Sequence, residues 1–435
     1  MQLKPDSAAF RDRLIAASCA LLTTCAARGQ NATVAGLEAQ LKEWQLDSAL
    51  AYYHEDGRVQ AVEPVVSLAR DYGDGRALDL NLTFDSLSGA SPNGALPSRA
   101  PQTFASPSGK SLALSKHLYT VAPGRLPADP NYSDLRVALA SEWTLPFTRL
   151  MRATVGGKFS YEDDFLSLSF DASIARDFNE KNTTVSLGIN DENDFLDPIG
   201  GTPVPLSDYS AFAKTAHQHK NGAGVLLSVT QVMTRMWLSS FNVSADRFSG
   251  YLNDPYKIVS VLDGAGNPQG YVYENRPDSR TRRSAYLENR VGGERSSAAL
   301  TLRYMTDTWG IHSDTAQFRV RWWNAARDQY LEPTVRWYRQ SAADFFSPWI
   351  SPAASQVRAD VSADSRLDAF RAMTYGLKYG VNLNDRLDRQ NSEVSVRIEY
   401  YQQSLQDRTA VPGALQGLDL LPNLQAILLQ IGFSY

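Results

Sequence analysis

His217-Gln218-His219 is the grouping in this sequence best suited to hold a metal ion. Two imidazoles two residues apart on an extended segment point the same way and can share a cation. Asp191, Glu192, Asp194 and Asp197 lie upstream and would add oxygen ligands. A solvated polar loop is the competing reading. His312-Ser313, with Asp314 next, is the other grouping of reactive side chains. A serine nucleophile needs a histidine base against it and a third group behind the base. Neighbours on a strand face opposite ways, so this pair cannot form a dyad unaided. A hydrolase is therefore the remotest reading, and the expectation is that the chain is not an enzyme. The sequence has no glycine-rich phosphate loop, haem-attachment pair or cysteine cluster, so no cofactor is expected.

The more extensive signal is charge at every second position of strand-like segments. Gln317, Arg319, Arg321 and Trp323 alternate with Phe318, Val320 and Trp322; Glu393, Ser395, Arg397 and Glu399 alternate with Val394, Val396, Ile398 and Tyr400. A face carrying such charges must meet water or pair them, since a lone buried ion is costly. The basic residues assigned to it are Arg136, Arg152, Lys158, Arg303, Arg319, Arg321, Arg336 and Arg397. The acidic ones are Asp79, Asp85, Glu142, Asp171, Glu332, Glu393 and Glu399. The arginines crowd into the second half, where they either attract anions or form a pairing network. Glu63-Pro64 and Glu332-Pro333 place prolines inside strands, where bulges are expected; their glutamates either line a pore or pair with an arginine such as Arg336. Arg280-Thr281-Arg282-Arg283 reads as a solvated rim or a lipopolysaccharide phosphate site.

The elements that carry these residues read as strands over 44–55, 59–71, 77–87, 134–144, 148–161, 164–178, 182–192, 221–232, 235–247, 281–291, 295–307, 314–327, 330–341, 366–382, 391–404 and 424–435. Only 31–43, with Leu37 and Leu41, looks helical. The long connections (88–133, 193–220, 248–280, 342–365 and 405–423) all fall at odd positions along the chain; even positions are tight, apart from 383–390. Short periplasmic turns and long outer loops produce that parity in outer-membrane barrels; a soluble sandwich has no reason to show it. The fold class expected is a transmembrane antiparallel up-and-down β-barrel of about sixteen strands, with both termini periplasmic. Its aromatic girdles are assigned Trp143, Phe159, Tyr161, Trp237, Trp337 and Tyr435. A lumen of this size is wide enough for water unless loops fold inward, and 88–133 is long enough to plug it.

Composition agrees. Mean hydropathy is −0.33, and no apolar run approaches the ~20 residues of a spanning helix. Net charge is −4 with no basic block, so nucleic acid is not an expected partner. Lys4, Arg11 and Arg13 precede an apolar run ending at Leu22, with small residues up to Gly29; this reads as a signal peptide over 1–29. A short periplasmic segment (30–43) and the barrel (44–435) follow. Cys19 and Cys25, the only cysteines, fall in the signal segment. Outer-membrane lipids are expected partners. The terminal Gly432-Phe433-Ser434-Tyr435 looks like the signal read by the barrel-assembly machinery, with Leu428 and Gln430 departing from it.

Several motifs resemble one family. They are Val62-Glu63-Pro64-Val65-Val66-Ser67-Leu68, Tyr72-Gly73-Asp74-Gly75-Arg76, Gly89-Ala90-Ser91-Pro92-Asn93-Gly94-Ala95, Pro101-Gln102-Thr103-Phe104 and Pro198-Ile199-Gly200-Gly201-Thr202-Pro203. The longest runs from Tyr330-Leu331-Glu332-Pro333 through Arg336-Trp337-Tyr338-Arg339-Gln340 to Asp344-Phe345. Together they resemble the bacterial proteins catalogued as domain of unknown function 3570, from about residue 45 to the C-terminus. The resemblance implies an outer-membrane barrel. It also implies genes placed beside those for a flavin transferase, a small lipoprotein and a thioredoxin-like protein, hence a part in envelope redox systems. The functional expectation is a channel or transport pore of the cell envelope. The alternative is a scaffold for a lipoprotein or flavoprotein redox partner.

Overall fold

A computed structural model describes residues 44–105, 118–198, 200–211, 214–215, 217–383, 392–406 and 413–435. The segments read as signal peptide, periplasmic stretch and short helix lie outside the described residues. Sixteen antiparallel strands close into one barrel. They are β1 (Gln45–Glu55), β2 (Val59–Asp71), β3 (Ala77–Pro92), β4 (Ala128–Thr148), β5 (Met151–Tyr161), β6 (Phe165–Phe178), β7 (Thr183–Leu196) and β8 (Gln218–Thr234). The second half is β9 (Trp237–Gly250), β10 (Ser279–Gly292), β11 (Ser296–Asp307), β12 (His312–Trp323), β13 (Gln329–Gln340), β14 (Phe370–Asn382), β15 (Glu393–Leu405) and β16 (Leu424–Ser434). Each strand pairs with its sequence neighbours, and β1 closes the ring on β16, from Asp47 opposite Ser434 to Glu55 opposite Ala426. Closure removes the edge whose unpaired N–H and C=O groups would be costly in lipid.

Side-chain alternation sorts this wall into two faces. Outside, Phe170, Ile189, Leu227, Phe241, Phe318 and Ile431 are exposed, each more than two-fifths accessible. So wide an apolar belt has no place on a soluble surface; it is the lipid-facing band of a membrane barrel. Phe159, Tyr161 and Trp237 lie exposed on this same face. Inside, the described strand residues form no buried apolar cluster. Every buried residue of the apolar clusters belongs to a connection: Phe104 and Ile258 in one, Val259 and Val361 in the next, Trp309 and Phe345 in a third, Leu96 and Leu415 in a fourth.

All sixteen segments read from the sequence become barrel strands, with shifted ends. β3 and β4 continue as a paired ribbon out to Pro92 opposite Ala128, shortening the connection between them to 93–127. The added residues Ser88 to Ser91 are small or polar and give no apolar alternation to read. β12 stops at Trp323, since Asn324 turns the chain: its side chain accepts from the backbone N–H of Asp328, and Arg327 takes φ +58°. The expected bulges are absent. β2 keeps one register with β3 on both sides of Pro64, and Pro333 pairs with Leu377 in an unbroken ladder to β14.

The two faces predict different tolerance of charge. Leu227→Arg, on the lipid side, should cost up to roughly 2–4 kcal/mol, the cost of an arginine at the bilayer midplane. Ser228→Arg, one residue on and inward, should cost far less. Denaturant unfolding in lipid vesicles measures both; equal losses would contradict the assignment of faces.

A charged inner wall beneath a folded cap as the candidate functional site

β12 and β13 fix the register of the inner wall. Phe318 and Trp322 on β12, and Leu331 and Val335 on β13, are exposed to the outside; the intervening Arg319, Arg321, Glu332 and Arg336 therefore point inward. The cross-strand pairing carries this parity around the ring. It places Arg136, Arg152, Arg303, Arg397 and Glu399 on the inner face as well. Lys158, Arg303, Arg336, Glu142 and Asp171 are exposed there although they point into the barrel. An inward charge that stays exposed is one that water reaches.

The inner face is divided by sign. On β1 to β7 carboxylates dominate: Glu63, Asp79, Asp85, Glu142, Asp171 and others stand against Arg136, Arg152 and Lys158. Arg136 lies 3.3 Å from Asp85 and 3.9 Å from Glu63, and Arg152 lies 3.3 Å from Asp177. On β10 to β15 cations dominate. They converge on Glu332, whose side chain is only 2% exposed. Arg321 Nε lies 2.6 Å from its carboxylate, Arg397 3.9 Å and Arg319 4.0 Å. Arg397 also lies 3.1 Å from Glu399, and Lys378 3.1 Å from Glu393. The Arg321 guanidinium stacks 4.1 Å from the Tyr330 ring centre, and the Tyr330 hydroxyl donates to Glu393 at 2.6 Å. Gly380 makes this possible: a Cβ there would collide with the Tyr330 ring, which lies flat along the wall. The pairing expected for Glu332 is real, but its partners are Arg321, Arg319 and Arg397 rather than Arg336.

Over the long-loop end the connections fold into a cap. Ile258–Leu262 and Pro268–Tyr273 form a hairpin in the connection between β9 and β10. Ile258 N–H donates to Asn93 O, from the connection between β3 and β4. Ser260 and Val261 pair in parallel with Trp349 and Ile350, from between β13 and β14. Leu262 packs with Leu415 and Leu420, from between β15 and β16. These roots stand on opposite sides of the ring, so the hairpin spans the mouth. Gly94 holds φ +94° under Ile258, where a Cβ would meet its carbonyl.

A buried ionic group ties the hairpin to the 341–369 connection. Arg276 lies 2.7 Å from Glu274 and 2.9 Å from Asp364; Ser362 donates to Glu274 at 2.5 Å; Arg366 reaches Asp364 and Asp254. Burial pushes the Glu274 carboxyl up, with Arg276 pulling it back. Burial would raise Asp364 too, but Arg366, Lys257 and Arg276 hold it well below the usual carboxylate range.

The other sequence candidates scatter. His217 meets Asp197 at 3.1 Å in the open, while His219 faces outward with its ring edge-on to Phe195 at 5.0 Å. Glu192 and Asp194 point inward to Lys220, and Asp191 points outward beside Asn193. Among the described residues no three metal-binding side chains gather. His312 contacts Tyr304 at 3.3 Å, while Ser313 is buried on the other face. The 280–283 run is not a free rim. Arg280 turns inward to Asp307 at 2.5 Å and stacks on Trp309; Arg282 turns inward toward Asp246 at 3.8 Å; Arg283 alone of the arginines points out. Alternation from Ala285 back would have found the first two. Alternation with the exposed Leu377 and Tyr379 would likewise have found Lys378; Lys220 falls outside the strand read over 221–232, so no pattern marked it.

The family model described as protein of unknown function (DUF3570) matches residues 11–435, and the chain belongs to this family. No curated protein matches it in sequence. In solved structures it resembles the siderophore receptor PirA from Acinetobacter baumannii, at 8% identity and TM-score 0.40, over 83% of this chain and 53% of that one. It resembles OccAB1 of Acinetobacter baumannii at 8% identity and TM-score 0.40, over 90% and 95%, and the outer-membrane protein opdK of Pseudomonas aeruginosa at 9% and 0.38, over 90% and 98%. The chain spans about half the length of the siderophore receptor it matches. Likenesses at this level say nothing of what the chain carries.

Breaking a buried ion pair from one side costs about 3–5 kcal/mol. Asp364→Asn should therefore loosen the cap alone. Limited proteolysis is expected to cleave 251–278 and 341–369 faster in this variant, with the heat-dependent gel shift of the barrel kept. Unchanged cleavage would show that the ionic group does not hold the cap.

Proposed function

We propose that this chain is an outer-membrane channel for small hydrophilic solutes, with its long-loop end outward and that mouth spanned by the cap. The observation that supports this most is the character of the interior. Charged side chains such as Arg303, Arg336 and Asp171 point inward yet remain exposed, and the apolar clusters sit in the cap instead of between the strands. A barrel built only as a rigid anchor has no need of a wet, charged wall; desolvated interior ions are costly and rarely stabilising. Wall charges facing water act on whatever enters. The cap limits that entry, so passage requires it to move, and its ionic group is the part that would resist.

Reconstitution in planar bilayers tests this. Wild-type protein is expected to give stepwise conductance with long closed periods, and Asp364→Asn to raise the open fraction several-fold. No steps from either protein, with a lipoprotein or flavoprotein co-purifying from native membranes, would overturn the channel reading in favour of a scaffold for that partner.

A further inference from the structure

The arginine side of the wall carries more positive charge than its own carboxylates answer. Glu332 is shared by Arg321, Arg319 and Arg397, and Arg397 is shared in turn with Glu399. Lys378 and Glu393 answer each other, and Glu288 on β10 is taken by Arg290. Arg336, in the same inward row as Gln317, and Arg303 on β11 form no ion pair among the described residues. The Arg397 Nε–H is buried without an acceptor there. The opposite wall is rich in carboxylates, so an anion in the lumen is repelled from one side and drawn to the other. Arg321 is held in place by Tyr330 and Glu332, so little order is lost when its neighbours close on a ligand.

We infer that the inner face formed by Arg319, Arg321, Arg336 and Arg397 is a binding site for small multivalent oxyanions, carboxylates or phosphates, on their way through the lumen. Guanidinium groups meet such oxygens with paired, charge-assisted hydrogen bonds. Glu332 has two parts here. It neutralises enough of the cluster for the barrel to fold around it, and it sets the affinity low enough for an anion to leave again, as conduction requires. This inference rests on the channel reading for its purpose, but binding is measurable without conduction.

The test is calorimetric titration of full-length protein in nanodiscs with citrate, and separately with inorganic phosphate, alongside citrate block of bilayer current. Saturable binding of either probe is expected. It should weaken about tenfold in Arg319→Gln/Arg336→Gln, in line with the loss of charge-assisted hydrogen bonds, and weaken at high salt. Glu332→Gln should tighten it by a similar factor, an opposite sign that mere structural damage does not produce. Binding of citrate alone or phosphate alone supports the inference and narrows the class. A conducting protein that binds neither probe, or binds them equally in all variants, overturns it. A silent protein with arginine-dependent binding keeps the inference and overturns the channel reading.

Discussion

The structure depends on one requirement: no backbone polar group can be left unpaired in lipid. An N–H or C=O without a partner costs several kcal/mol in hydrocarbon, so the sheet has to close, and β1 finds β16. Closure then imposes the rest. With a period of two, each strand must send one set of side chains to lipid and the other inward. The outward set is apolar because lipid is apolar. The inward set is released from that demand and is free to carry arginine, lysine, aspartate and glutamate.

Closure also separates the work of the strands from that of the connections. The wall has little apolar material to bury inside, so the buried apolar clusters move to the connections at one end. There Phe104, Ile258, Val361 and Leu415 give the cap a core of its own. Arg276, with Glu274 and Asp364, fixes how its pieces meet. The cap thus has its own core and its own ionic group, while the division of charge between the carboxylate-rich and arginine-rich arcs is set by strand register.

Much of this was legible in the sequence, for physical reasons. The strand count followed from alternation that lipid enforces, as in Ile427, Leu429 and Ile431. The parity of the connections followed from the tightness of turns such as Gly73-Asp74-Gly75. The inward assignment of Arg319, Arg321, Glu332, Arg336 and Arg397 needed only one apolar neighbour each. What was not legible depends on contacts between distant segments. The strand end at Pro92 follows small or polar residues, Ser88 to Ser91, so no pattern marks it. The cap unites residues more than a hundred positions apart, such as Leu96 and Ser260, and no local spacing announces that meeting. The prolines misled for a simpler reason: a ladder can lose a hydrogen bond at Pro64 or Pro333 without shifting register.

The central claim is that the inner wall faces water. It is tested most directly by cysteine accessibility in nanodiscs, in a background with Cys19 and Cys25 replaced by serine. Gln317→Cys and Thr334→Cys lie on the inner face, and Phe318→Cys and Val335→Cys lie one residue along on the lipid face. A charged, lipid-impermeant thiol reagent is predicted to modify the first pair and leave the second untouched. An inner pair as unreactive as the outer one would mean a dry, filled barrel, and would contradict the account.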